Sequence, residues 1–246
     1  DEVNLADDLR DYREKMTEGN KRLLGQIFRF FTQADVDVCC GYAKHYLPTF
    51  KQPEVRMMLS AFAAMEAVHQ EAYSLLLETL GFRDDEYQKF FEHKEMLDKH
   101  EYLGNFGMET PMDIAKTLAI YSGFTEGVQL FSSFAILLNF PRHNLMKGMG
   151  QIVTWSVRDE TLHVEGMSHL FRAFVKENPD IWNDDLKYEI YCAAERTVEL
   201  EDAFIDLCFE GAEVPNLTPD EIKGYIRYIA DRREPFRLVG LYAERG

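Results

Sequence analysis

The stretch Pro53-Glu-Val-Arg-Met57-Met58-Leu-Ser-Ala-Phe62-Ala-Ala-Met65-Glu66-Ala-Val68-His69-Gln-Glu-Ala-Tyr73-Ser-Leu-Leu-Leu77-Glu-Thr-Leu-Gly81 decides the fold. Pro53 suits the first turn of a helix, and Gly81 is a helix stop. Between them apolar residues recur at three and four rather than in strand alternation, so the stretch predicts one long helix. The same period runs through the rest of the chain. Leu9 to about Tyr46 reads as a long helical pattern, broken near Gly19 and stopping before Pro48. Asp84 to Leu97 predicts a shorter helix. Thr110-Pro111 with Asp113 caps a helix through Ile114, Leu118, Tyr121, Leu130 and Phe134 to a break at Asn139–Pro141. Further helices are expected from Gly150 to Val175, from a cap at Asp184 to near Glu210, and from Thr218-Pro219-Asp220-Glu221 to near Arg233. No strand alternation is present, and the expected architecture is an all-α bundle forming a single domain over residues 1–246.

Composition narrows the function. The chain has 246 residues, with 27 Lys plus Arg against 43 Asp plus Glu and a formal net charge of −16. No basic surface is available for nucleic-acid phosphates or anionic lipid. No apolar run approaches the roughly 20 residues of a membrane span, and the Asp1-Glu2-Val3-Asn4 start is unlike a secretory signal. A soluble, cytoplasmic protein with no nucleic-acid and no membrane partner is expected. Four cysteines, Cys39, Cys40, Cys192 and Cys208, show no C-x-x-C spacing and are expected to be reduced core thiols.

Within the quoted helix stands Glu66-x-x-His69, and within the Gly150–Val175 helix stands Glu160-x-x-His163. Spacing of three puts both side chains of a pair on one helix face. Spacing alone is weak, because 25 Glu in 246 residues place one three positions before about 0.7 of the seven histidines by chance. A single such pair is most often a surface pair. The setting adds the signal: Phe62, Met65 and Val68 flank the first pair, and Val157, Leu162, Val164 and Met167 the second. A carboxylate on a core-facing stripe must be paired, since burying it bare costs many kcal/mol. Two more isolated acids share such surroundings, Asp35 beyond Phe30-Phe31 and Glu126 between Phe124 and Leu130-Phe131. Four carboxylates and two imidazoles match the charge of two divalent cations, expected about 3.5 to 4 Å apart with a bridging carboxylate. Mixed oxygen and imidazole donors suit iron or manganese better than copper(I) or calcium. Tyr73, at His69 plus four, falls one turn along the same face, roughly 6 Å up the axis, where a metal pair could take an electron from the phenol; by spacing alone the core tyrosine is the stronger reading.

Phe30-Phe31-Thr-Gln-Ala-Asp35, Met65-Glu66-Ala-Val-His69-Gln-Glu-Ala-Tyr73, Glu126-Gly127 with Ser132-Ser133-Phe134, and Arg158-Asp159-Glu160-Thr-Leu-His163 together resemble the small, radical-generating subunit of class I ribonucleotide reductase. The resemblance extends from Asp1-Glu2-Val3-Asn4-Leu5 to Tyr225-Ile-Arg-Tyr228-Ile-Ala-Asp-Arg232. It implies a ferritin-like helical bundle with a dinuclear metal site in its core. Asp35, Glu66 and His69 would hold one ion, and Glu126, Glu160 and His163 the other, with Glu66 bridging. Two iron ions per chain are implied, manganese being an alternative. Tyr73 would carry a radical generated with dioxygen, and Asp159 would accept from the His69 ring and serve radical transfer. The implied partners are a second copy in a homodimer and the large catalytic subunit, which makes deoxyribonucleotides. The resemblance further implies an N-terminal segment with a tryptophan, a place that neither Trp155 nor Trp182 takes, and a C-terminal docking tail beyond Gly246. Ser156 stands where the family has a bulky apolar residue. The alternatives by site chemistry are a ferritin-like iron-storage protein and a di-iron oxygenase or desaturase.

Overall fold

A computed structural model describes residues 3–83, 89–103 and 107–232, and the structural statements below concern these residues. Nine helices carry the fold: α1 (Ala6–Glu14), α2 (Glu18–Gly41), α3 (Pro53–Leu80), α4 (Lys94–Leu103), α5 (Pro111–Thr117), α6 (Phe131–Arg142), α7 (Lys147–Glu177), α8 (Asp184–Phe209) and α9 (Pro219–Arg232). A wider, π-helical turn at Tyr42–Tyr46 and a helical turn at Leu47–Thr49 follow α2, and a π-helical segment, Leu118–Gln129, joins α5 to α6. No strand forms among the described residues, which satisfies the all-α expectation, and no described helix is long and apolar enough to cross a membrane. Four elements surround the centre: α2 packs on α3, α3 on α7, and α7 on the π segment.

Local chemistry accounts for the ends. Pro53 opens α3, and Gly81, at φ 90°, closes it with its N–H on the carbonyls of Leu77 and Glu78. Thr110 and Asp113 cap α5 reciprocally, and Thr218 with Glu221 does the same for α9. The first break falls at Thr17, whose hydroxyl accepts from the Asn20 N–H at 3.1 Å, so Gly19 lies inside α2. A Cβ at Gly19 would meet the Gly211 carbonyl oxygen at 2.0 Å, so the glycine serves a close approach and not a break. Helical structure also passes Pro48, because the wide turn before it opens the place where the proline ring would meet a preceding carbonyl. Asp84 lies outside the described residues; the rest of that predicted helix is a short 3-10 turn at Lys89–Glu92 followed by α4. Asn183, not Asp184, caps α8, accepting from the Leu186 N–H at 3.0 Å.

Helix α7 has no cap of its own, since Met146-Lys-Gly-Met offers no side-chain acceptor. Helix α1 supplies one from far along the chain. Asp8 accepts from the N–H groups of Gly148 and Met149 at 2.9 and 2.8 Å, and Asp11 from Met146 at 3.1 Å. These carboxylates meet the positive end of the helix that bears Glu160 and His163.

Behind the centre, Lys99 of α4 is wholly buried in an ion pair with Glu201 of α8. Its ammonium lies over the rings of Phe30 and Phe204, at 3.5 and 4.2 Å from their centroids, and Ser132 donates to Glu201 at 2.5 Å. Burial pushes the Lys99 pKa down and the Glu201 pKa up. Changing Lys99 to Met strands the carboxylate and is expected to cost about 3 to 5 kcal/mol, read from the urea midpoint. Adding Glu201→Leu should restore most of the loss. A single change costing under about 1 kcal/mol would show the pair to be dispensable.

Candidate metal centre

The six acids and histidines named from sequence converge from four elements. Asp35 comes from α2, Glu66 and His69 from α3, Glu126 from the π segment, and Glu160 and His163 from α7. All six are buried. Asp35, Glu66 and His69 form one group, and Glu66, Glu126, Glu160 and His163 a second, the donor atoms in each lying within 4.8 Å of one another. Glu66 belongs to both. The π segment is buried nearly throughout, as expected of a helix apolar on all sides, and Glu126 is its one acid.

Several of the inward-turned donor atoms make no well-directed hydrogen bond. Asp35 Oδ2, both Glu66 oxygens, Glu126 Oε2, Glu160 Oε2 and His163 Nδ1 are all buried and unpartnered. Such orphans each cost desolvation free energy unless something cationic meets them. His163 Nδ1 lies 3.0 Å from Glu66 Oε1 and 3.5 Å from Glu160 Oε2, and His69 Nδ1 lies 3.3 Å from Glu160 Oε1 and 3.6 Å from Glu66 Oε2. Two carboxylate groups sharing a bridging glutamate, each with one imidazole, fit a pair of divalent ions of the iron or manganese type.

Groups outside the donor set hold it. His69 turns Nε2 to Asp159 Oδ2 at 3.4 Å. His163 Nε2 faces the Met65 sulfur at 3.3 Å, and Phe62 lies against its ring at 4.3 Å between centroids. Tyr42 was not singled out from the sequence; its hydroxyl donates to Glu126 Oε1 at 2.6 Å. Only its position seven residues after Asp35, two turns along one face, could have pointed to it. Burial and Glu126 push the Tyr42 phenol well above its usual range.

Tyr73, 2% exposed, donates to Ser156 Oγ at 3.0 Å. Ser156 is itself buried and within 3.3 Å of the Ile152 carbonyl oxygen. The polar residue at 156 is therefore the acceptor of the Tyr73 hydroxyl. Phe31 packs on the Tyr73 ring at 4.9 Å, and Phe134 packs on Phe31 at 5.2 Å. Burial, reinforced by the charge of Asp35, holds the Tyr73 phenol well above its usual range. A cleft of 490 Å³ beside His69, Ser156 and Asp159 opens to the surface between α3 and α7, with Trp155 at its wall.

Without a cation the cluster balances its charge with protons. Burial pulls His69 and His163 down, but Glu160 and Glu66 outweigh it and lift them to about 11 and about 10. Burial and the charge of Glu66 push Asp35 well up; burial likewise pushes Glu126 up, against His163. At neutral pH both imidazoles of the metal-free chain therefore carry a second proton, and a metal must displace it from each. Anaerobic addition of Mn(II) to metal-free protein at pH 7 is expected to release about two protons per chain from the imidazoles alone, with affinity falling as pH falls. Uptake with no proton release in a weakly buffered dye assay would contradict this.

Taken together, four helical elements with two Glu-x-x-His pairs and two further acids facing one centre define a ferritin-like helical bundle that fits a dimetal site. The family described as ribonucleotide reductase, small chain, matches residues 1–235, and the chain belongs to it. The chain is 48% identical, over 94% of its length, to a protein of Invertebrate iridescent virus 3 named "Probable ribonucleoside-diphosphate reductase small subunit 048L", and covers 66% of that relative. It is 45% identical over 94% of its length to the corresponding small subunit 376L of Invertebrate iridescent virus 6, covering 74% of it. The chain thus spans about two thirds to three quarters of these relatives. Among solved structures, the ribonucleotide reductase R2 subunit from Clostridium botulinum superposes with a TM-score of 0.91 at 21% identity, over 98% of this chain and 78% of that one.

Proposed function

We propose that the chain is the radical-generating small subunit of a class I ribonucleoside-diphosphate reductase, with Tyr73 as the radical residue. The observation that carries this reading is a buried tyrosine one helical turn beyond His69, against a cluster of unpartnered carboxylates. Asp35, Glu66 and His69 would hold one ion, and Glu126, Glu160 and His163 the other, two iron ions being the first choice and manganese the alternative. When bound, the metal pair supplies the oxidising power, drawn from dioxygen, for one-electron oxidation of a nearby phenol.

The chain's own residues do the remaining work. The Tyr73 hydroxyl donates to Ser156 Oγ, which holds the phenol in place; Ser156 is no base, so the proton that leaves with the electron must pass to a basic group other than Ser156. Phe31 and the rings behind it keep water and reductants from the phenol. Asp159 holds the His69 ring by its outer nitrogen and would pass an oxidising equivalent on toward the large subunit and its ribonucleotide substrate. Iron storage makes no use of a buried tyrosine at this position, and an oxygenase would leave no stored tyrosyl radical. Tyr73→Phe removes only the hydroxyl, so the variant should fold and bind two ions yet give no tyrosyl signal and no nucleotide reduction when the full-length protein is paired with its large subunit. A normal radical yield in that variant would assign the radical to another tyrosine.

A homodimer is part of this reading. Met57, Val68 and Leu75 lie at spacings of eleven and seven on one face of α3, and are 73, 62 and 55% exposed. Exposed alanines at 61 and 64 continue the stripe. A face this apolar is expected to be covered by a second copy. Sedimentation at micromolar concentration should give a dimer; a monomer alone would refute it.

A further inference from the structure

Tyr42 is the first residue of the wide turn that follows α2. Its ring is fully buried, with Tyr46, Phe62 and His163 at centroid distances of 5.6, 6.1 and 6.2 Å. Its hydroxyl donates to Glu126 Oε1 at 2.6 Å. The second oxygen of that carboxylate, Oε2, has no partner. Among the described residues no tyrosine hydroxyl donates to Asp35, Glu66 or Glu160, and both Glu66 oxygens and Glu160 Oε2 make no well-directed hydrogen bond. One oxygen of Glu126 is therefore engaged by a protein donor while the other is open.

We infer that Tyr42 is a positioning residue that leaves Glu126 a single oxygen for a metal ion, so that Glu126 binds through one atom and the second ion keeps an open coordination position. The inference rests on the dimetal reading above and adds a residue and a role to it. A short hydrogen bond from a phenol draws density from the oxygen that accepts it and fixes the plane of the carboxylate. Oε1 keeps a second lone pair, but turning it onto a metal would rotate the carboxylate away from the Tyr42 hydroxyl and leave a buried donor unpaired. The fold supplies the rigidity. Tyr42 is held by rings on two sides, and Glu126 sits in a buried segment whose Tyr121 is itself tied to the Asp37 backbone carbonyl at 2.5 Å. The two metal positions are thereby made unequal, the Asp35 side lacking a tyrosine donor of this kind.

The test uses the whole chain as Tyr42→Phe, with Tyr46→Phe as control, since the Tyr46 hydroxyl donates to the Thr117 carbonyl oxygen. Metal-free proteins are titrated anaerobically with Mn(II), and the carboxylate stretches are followed by infrared difference spectroscopy with ¹³C-labelled glutamate. Tyr42→Phe should bind the second ion about ten-fold more tightly, because a buried oxygen stripped of its donor turns to the metal. One glutamate should then move from one-oxygen to two-oxygen stretch splitting, while Tyr46→Phe matches the wild type. Wild-type affinities and bands in Tyr42→Phe would overturn the inference. If that variant fails to fold, the wild type decides: with metal bound, one glutamate band of one-oxygen type must shift on H/D exchange, and its absence overturns the inference. A wild-type chain that takes up fewer than two ions would refute the dimetal reading instead.

Discussion

Placing four carboxylates and two imidazoles at the centre of an apolar bundle is the constraint on which the rest of this structure depends. Apart from the Tyr42 hydroxyl on Glu126 and the two imidazoles, nothing among the described residues meets the inward-facing oxygens, and an apolar core cannot solvate them. Protons on the two imidazoles offset part of the charge, and two divalent ions would offset all of it. Helix length follows from this. Each pair must sit mid-helix, with several turns of apolar packing on either side, which α3 and α7 provide over 28 and 31 residues.

Holding the donors in place needs groups drawn from distant parts of the chain. The N-terminus of α7 is capped by Asp8 and Asp11 of α1, so the helix that carries Glu160 and His163 is fixed from outside the bundle. Gly166 illustrates the tolerance available. A Cβ there would meet the Phe62 ring at 2.8 Å, and Phe62 is the ring that lies against His163. A larger residue at 166 would push that ring toward the metal centre. Fold and site are one packing problem here.

The parts legible in the sequence were those whose chemistry clashes with their surroundings. Glu66, His69, Glu160 and His163 stood out as polar pairs on apolar stripes, and Asp35 and Glu126 as lone acids among aromatics. Residues that match their neighbourhood gave no such contrast. Lys99 lies in Lys94-Glu-Met-Leu-Asp-Lys-His, which reads as a solvated helix, and Asp8 and Asp11 lie in an equally charged run. All three are buried only because a distant element covers them. Tyr42 looks like any core tyrosine. The π-helical turns were missed for a related reason: residues buried on every side fit a wide helix as well as a narrow one, so apolar spacing does not separate the two.

The two buried tyrosines beside the centre differ in what receives their hydroxyl, and the difference assigns them different work. The Tyr42 hydroxyl is bound to a carboxylate that the metal also needs. Moving its proton onto Glu126 would neutralise that carboxylate and weaken it as a ligand, so oxidising Tyr42 would work against the site. Tyr73 gives its hydrogen bond to Ser156, a neutral hydroxyl outside the donor set. Its hydrogen bond engages no ligand, and its ring is backed by Phe31. The tyrosine whose oxidation leaves the donor set intact is thus the one suited to store an oxidising equivalent, and the tyrosine bonded to a ligand is the one suited to fix that ligand.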